Sequence, residues 1–284
     1  MSENVATWLI FNGKSGSHSE GLEAHIADRL AAAHHAPKRL LDCSDCDLPD
    51  AETLAGEGIG TLVVHGGDGT LNSVVANLRG WDGAILPLPG GTANLLCNRL
   101  HDDCDSDAIL TQLGRGMLSR KQIDCVEGRE WIALSEVLAG PGALWADVRE
   151  DMREMRVLDI AEGSIDAIQT SREGPRVRVF AGSDEVGRES GYAGVRLSPA
   201  DGRVFIQAYR IESAGEFLEQ GLAILSRDFR TGPHDELGSF EATTLRSTED
   251  APIELMIDGE RFEGRAEEQF ALAPLGVALL GSAA

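Results

Sequence analysis

Residues Thr61–Asn72 read TLVVHGGDGTLN. A run of strand-forming residues stops at Gly-Gly-Asp-Gly-Thr, and a helix-compatible segment follows. In a strand–glycine turn–helix unit, backbone N–H groups can surround an anion. Gly66, Gly67 and Gly69 lack Cβ, so the chain can turn sharply and a phosphate can approach the backbone. Asp68 sets a condition. Alone it repels a phosphate; beside a divalent cation, or as an acceptor from a ribose or a neighbouring loop, it fits. The plainer alternative for these residues is a tight turn with an Asx-type cap. Two other phosphate motifs fail: GxGxxG has Asn72 at its third glycine position, and Gly13-Lys14-Ser15 has Trp8 where a Walker loop needs its leading glycine.

Working outward, the first half alternates. ATWLIFN (6–12), PKRLL (37–41), TLVVH (61–65) and GAILPLP (83–89) read as strands, whereas 19–35, 48–58, 71–78 and 93–100 read as helices. Such alternation predicts a parallel sheet covered on both faces. Two more strands run into Gly-rich turns, at IFNGKSGS (10–17) and LPLPGGTANLL (86–96), with Asn94 as a candidate N-cap. All three turns are expected at the carboxyl edge of the sheet, where ligands bind.

Near Glu127–Glu130 the character changes to short strand-like runs with the turn dipeptides Asp201-Gly202 and Asp258-Gly259, interrupted by helical stretches at roughly 141–170 and 213–227. The fold class expected is α/β plus mainly β: an α/β domain over 1–128 and a β-rich domain over 129–284.

The chain has 284 residues, 25 Lys and Arg against 47 Asp and Glu, and a net charge of −22. Such a surface repels nucleic acid and anionic membranes, and no Lys/Arg cluster offsets it. No secretory signal and no apolar run near the roughly 18 residues of a membrane span is present, so a cytoplasmic protein is expected. Five cysteines do not suggest a disulfide framework, and CSDC (43–46) reads as a loop with two thiols. HDDCDSDA (101–108) reads as an acidic helix start, His234 as part of a polar Gly-Pro loop, and Trp145 as core.

Together, IFNGKSG, VHGGDGTLNSVV, PGGTAN and IDGE (257–260) resemble the diacylglycerol kinase catalytic family, which includes bacterial soluble lipid kinases and the sphingosine and ceramide kinases. RKQID (120–124) and SPADGRV (198–204) resemble family segments too. GGDGT alone is shared with NAD kinases; GTAN and the late DGE favour the lipid kinases.

The resemblance implies a Rossmann-like N-terminal domain, a sandwich-like C-terminal domain, and an interdomain cleft that holds ATP with Mg²⁺. It implies nucleotide-binding roles for Asn12, Ser15, Gly66, Gly67, Asp68, Gly69, Thr70, Gly91, Thr92 and Asn94. Asp258 maps onto the general base with Glu260 beside it, Asp124 onto a carboxylate of the same network, and Asp201 onto a structural metal site. On a regular strand Asp258 and Glu260 would share one face. The implied reaction is transfer of the γ-phosphoryl group to a hydroxyl of diacylglycerol or a related lipid or sphingoid alcohol. The protein would make at most peripheral, transient membrane contact, and a homodimer is left open. Segment 131–150 matches the family weakly, near its lipid entrance. That leaves two other readings: a kinase of a small soluble alcohol or NAD-like acceptor, and a nucleotide-binding regulatory protein without transferase activity.

Overall fold

The structure is a computed structural model that describes residues 5–13, 21–102, 104–141, 174–209 and 234–282. The chain divides into two compact units, Met1–Ile123 with Pro274–Ala284, and Asp124–Ala273.

The first unit is built on a six-stranded sheet. Its strands are β1 (Thr7–Phe11), β2 (Pro37–Asp42), β3 (Thr61–Gly66), β4 (Ala84–Pro89), β5 (Leu118–Lys121) and β18 (Ala278–Ser282), in the order β2-β1-β3-β4-β18-β5. The pairs β1/β2, β1/β3, β3/β4 and β18/β4 are parallel; β18/β5 is antiparallel. All six residues of β3 are buried, as suits a strand covered on both faces. The helices α1 (Leu22–Ala32), α2 (Ala51–Gly56), α3 (Asp68–Asn77), α4 (Leu95–His101) and α5 (Ser106–Gly114) fall between strands. Ile26 and Leu30 of α1 and Ile109, Leu110 and Leu113 of α5 pack with Leu9, Val63, Leu86 and Leu88 of the sheet.

The expected strands and helices of 6–100 are present, within a few residues at their ends. The acidic stretch at 101–108 does start a helix: Asp105 caps α5, its carboxylate accepting the Ala108 N–H at 2.7 Å. A linear division after residue 128 does not describe the first unit, because β18 returns to it from the far end of the sequence. Edge backbone groups on β4 and β5 need partners, and an apolar C-terminal strand supplies them.

The second unit has two six-stranded sheets. One runs β10 (Asp184–Val186), β9 (Val177–Ala181), β14 (Ala242–Ser247), β17 (Glu267–Pro274), β6 (Asp124–Glu127), β7 (Ile132–Ala133). The other runs β13 (His234–Phe240), β12 (Arg203–Tyr209), β11 (Gly194–Ala200), β8 (Val137–Ala139), β15 (Glu254–Ile257), β16 (Glu260–Glu263), with every neighbouring pair antiparallel. One apolar cluster draws on both sheets: Val126, Val179, Leu245 and Phe270 from the first, Val137, Val195, Ile206 and Leu255 from the second.

Asp201-Gly202 joins β11 to β12 with φ 49° and 71°, and Asp258-Gly259 joins β15 to β16 with φ 48° and 94°. Left-handed conformations at both central residues mark the tight hairpin turn that Asp-Gly favours. His234 is the first residue of β13 rather than a loop residue, because its backbone pairs with Tyr209. The helical stretches expected at 141–170 and 213–227, Trp145 included, fall almost wholly on 142–173 and 210–233, outside the described residues. Among the described residues no helix is long and apolar enough to cross a membrane.

Candidate active site

Because β1, β3 and β4 are adjacent and parallel, the turns after them leave one edge of the sheet. The turns after β3 and β4 touch backbone to backbone. The Gly90 N–H donates to the Gly66 carbonyl at 3.0 Å. A Cβ on Gly91 would lie 2.6 Å from the Gly67 Cα, and one on Gly90 2.8 Å from the Gly66 nitrogen. The glycines are therefore required by packing between the turns as well as by any ligand. From the first turn, the Asn12 amide donates to the Thr70 hydroxyl at 3.3 Å.

Two sequence expectations change here, and one alternative is chosen. Asp68, Gly69 and Thr70 form the first turn of α3 rather than a loop; Gly67 is its N-cap, and no side chain caps that end. Asp68 is 8% exposed, and its Oδ1 accepts the Leu96 N–H at 3.2 Å. The carboxylate thus ties α3 to the start of α4. Asn94 holds the N-cap position of α4 as expected, in a left-handed conformation with φ 50°, but its side chain does not cap the helix. Its amide instead brackets Gly91, accepting the Gly91 N–H at 2.8 Å and donating to the Gly91 carbonyl at 2.9 Å. Burial, and then the Asp68 charge, pushes the Cys97 thiol up, so it stays a neutral packing group. Thr92 lies in the same turn, and Ser15 lies outside the described residues.

In the second unit, Asp258 is 3% exposed. Its carboxylate accepts three consecutive backbone N–H groups: Leu134 at 2.6 Å, Ser135 at 2.8 Å and Glu136 at 3.0 Å. The Asp258 N–H returns a bond to the Glu136 carbonyl at 3.0 Å. The hairpin turn is what aims the side chain inward; Glu260, at the start of β16, is exposed. The two carboxylates do not share a face, because the turn interrupts the strand between them. Asp124 opens β6 and is half-buried. Asp201 is an exposed turn residue, and among the described residues no group of three or more His, Cys, Asp or Glu could hold a metal.

One constellation was not read from the sequence. On the sheet face opposite the shared core, Arg196 donates to Glu136 at 2.7 Å and to the Gln207 oxygen at 2.8 Å. The Gln207 amide nitrogen lies 3.3 Å from His234 Nε2. Glu136 and Gln207 are 4% and 6% exposed. The alternation of RVFIQAY puts Gln207 and Tyr209 on one face, but nothing local says that this face is buried.

Residues 6–126 match the family described as diacylglycerol kinase catalytic domain. These residues belong to that family. A curated Streptococcus pneumoniae protein named "Putative lipid kinase" is 22% identical over 235 residues, which cover 78% of this chain and 79% of that protein. The "Probable lipid kinase YegS-like" of Chromohalobacter salexigens is 35% identical over 92 residues, 31% of this chain and 29% of its own. Among solved structures, a diacylglycerol kinase from Bacillus anthracis superposes with a TM-score of 0.62 at 15% identity, covering 98% of this chain and 97% of that one. At that identity the likeness establishes the fold.

At its far end α4 runs into a buried polar cluster. His101 is 1% exposed; its Nδ1 lies 3.1 Å from the Ser282 hydroxyl, which donates to Gln112 at 2.7 Å. Its Nε2 has no partner among the described residues. Burial lowers the imidazole from 6.5 to about 4, against a smaller opposing effect of Asp102. Between those values the unfolded chain binds a proton that the folded chain does not, so stability rises with pH across this window. Acidification from pH 6.5 to 4 is expected to cost about 3 kcal/mol through this one group. Denaturant titrations at several pH values should show a shallower acid limb in His101→Gln.

Proposed function

We propose that this protein is a lipid kinase that moves the γ-phosphoryl group of ATP, with Mg²⁺, to a hydroxyl of a lipid alcohol. The observation that carries it is the pair of glycine turns locked backbone to backbone beside the uncapped start of α3. A helix start of this kind attracts phosphate, and the names of the relatives point to lipid phosphorylation.

On the nucleotide side, Gly66, Gly67, Gly69 and Gly91 keep Cβ atoms away from the phosphates, and Asn94 sets the Gly91 peptide. Asn12 and Thr70 join the first and second turns, with Thr92 beside them. Bound Mg²⁺ would draw mostly on phosphate oxygens and water, as it commonly does with one or two protein carboxylates; Asp68 is the carboxylate at these turns, and it positions α4. On the acceptor side the resemblance assigns proton removal to Asp258, with Asp124 and Glu260 as supporting carboxylates. The acceptor oxygen attacks the γ-phosphorus, the bond to the β–γ bridging oxygen breaks, ADP leaves, and the hydroxyl proton passes to the carboxylate.

The test is ADP formation from Mg²⁺-ATP with diacylglycerol, monoacylglycerol, phosphatidylglycerol, sphingoid bases and NAD, in mixed micelles and in buffer. Transfer to a lipid is expected, and Asp68→Asn should weaken nucleotide binding about tenfold through the loosened α3–α4 tie. Transfer to NAD alone would favour the soluble-acceptor reading, which the net charge of −22 supports. ATP binding without any transfer would favour a regulatory nucleotide-binding protein.

A further inference from the structure

The α1 and α5 side of the first sheet is covered unevenly. Leu9, Val63 and Leu86 lie side by side on β1, β3 and β4, and both helices pack on them. Two residues nearer the strand starts, the same face carries Thr7, Thr61 and Ala84. The helices stop at Ala32 and Gly114, where they meet: a Cβ on Gly114 would lie 3.3 Å from the Ala33 Cβ. Small residues then leave a cavity of about 260 Å³, floored by Gly60, Thr61 and Ala84 and walled by Leu113, Leu118 and Leu280. A Cβ on Gly60 would lie 2.6 Å from Val5 Cγ1, so Val5 sits at the rim of that floor. Every lining residue belongs to the first unit. Thr61 and Ala84 open β3 and β4, whose other ends carry the glycine turns.

The walls say what would fill this space. Packed to the density of a protein interior, about 0.74, it takes roughly ten non-hydrogen atoms. Val5 is 38% exposed, and Met117, between the lining residues Gly116 and Leu118, is 51% exposed. Exposed alkyl groups beside an alkyl-walled cavity suit an apolar ligand tail. Arg120 supplies the charge. Its Nη2 donates to the Asp82 and Gly83 carbonyls at 2.6 and 2.8 Å. Among the described residues it pairs with no carboxylate, that of Asp82 included, which leaves Nε and Nη1 as donors. His35 also lines the cavity, its Nδ1 3.3 Å from Thr7 Oγ1. Burial, and then His34, lowers its imidazole, so it adds no charge at pH 7. No Asp or Glu lines the cavity. An ammonium head would be repelled by Arg120, and a doubly charged phosphate loses more hydration than a carboxylate. A carboxylate matches the guanidinium best.

We infer that this cavity is a binding site for a small amphiphilic monocarboxylic acid, its carboxylate on Arg120 and its alkyl chain among Leu113, Leu118 and Leu280. The site stands apart from the lipid kinase reading and is tested by binding alone.

The experiment is a titration of the full chain with octanoate, octanol and octylamine, followed by NMR at the leucine methyl groups. Octanoate is expected to shift the Leu113, Leu118 and Leu280 methyls saturably. Its affinity should exceed that of octanol about tenfold, as a hydrogen bond to a charged group allows, and that of octylamine by more. Arg120→Gln should weaken octanoate about tenfold and leave octanol unchanged; a merely structural Arg120 would move both ligands alike. Ala84→Val, which raises the floor and suits a strand, should weaken octanoate and octanol together. Saturating Mg²⁺-ATP should leave octanoate affinity unchanged, because the glycine turns lie at the other ends of β3 and β4. No saturable shift at these methyls, equal affinity for octanoate and octanol, unchanged octanoate binding in either variant, or displacement by ATP would overturn the site. ADP formation plays no part in this readout, so failure of the kinase reading leaves the site standing, and loss of the site leaves the kinase reading untouched.

Discussion

Asp258→Ala is expected to lower the melting temperature by about 10 °C. The carboxylate accepts three buried N–H groups from Leu134, Ser135 and Glu136, and a buried donor left without a partner costs about 1–3 kcal/mol. Alanine in the left-handed conformation that Asp258 holds at φ 48° adds about 1 kcal/mol. A total near 4 kcal/mol, allowing for water that enters the gap, corresponds to about 10 °C for a domain of this size. Asp258→Asn should lose roughly half as much. Asparagine tolerates the left-handed turn and keeps one oxygen for Ser135 and Glu136, but sets its amide against the Leu134 N–H. Calorimetry and single-turnover kinetics on both variants separate anchoring from proton removal. The expected result for Asp258→Asn is a folded protein that binds ATP normally and transfers no phosphoryl group. Normal turnover in a folded Asp258→Asn would leave this residue as an anchor only.

The second large effect is expected at Gly91. Its α-carbon faces the Gly67 backbone, where an added Cβ would sit 2.6 Å from the Gly67 Cα. Backbone cannot swing aside as a long side chain can, so the turns after β3 and β4 must separate, at a cost of about 1–3 kcal/mol. Gly91→Ala should therefore weaken ATP binding by at least about tenfold and lower the melting temperature by a few degrees. Gly56→Ala is the control, because an added Cβ there meets nothing within 4 Å and alanine suits a helix better than glycine. Equal ATP affinity in Gly91→Ala would detach the two turns from nucleotide binding.

These two sites show where sequence reading succeeds and stops. β1, β3 and β4 were legible because a strand buried on both faces must be a continuous apolar run. The Asp201-Gly202 and Asp258-Gly259 turns were legible because left-handed backbone at two successive positions leaves few residue choices. The glycine turns after β3 and β4 were legible together, since each follows a parallel strand; the turn after β1 is described only as far as Gly13. The roles of the polar side chains inside them were not. For Asp68 the residues left a cation, a ribose or a neighbouring loop open; its carboxylate accepts the Leu96 N–H just beyond the neighbouring turn, a choice that spacing did not make. Asn94 suggested a helix cap, yet its amide binds Gly91. In both cases a backbone group close in space settles the partner, which sequence spacing does not.

The sequence by itself determined the described strands and helices of 6–100, the tight hairpins of the second half and the family resemblance. Periodicity, glycine placement and turn chemistry act over a few residues and leave a local trace. Tertiary structure alone decided that β18 would enter the first sheet from the end of the chain, and that Asp258 would face three N–H groups more than a hundred positions earlier. It also decided that Arg196, Gln207 and His234 would line up on three neighbouring strands, with Glu136 just ahead of β8 beside them. Each of these depends on which strand lies beside which, and hydrogen-bond pairing between distant strands leaves no mark in the spacing of residues along either one.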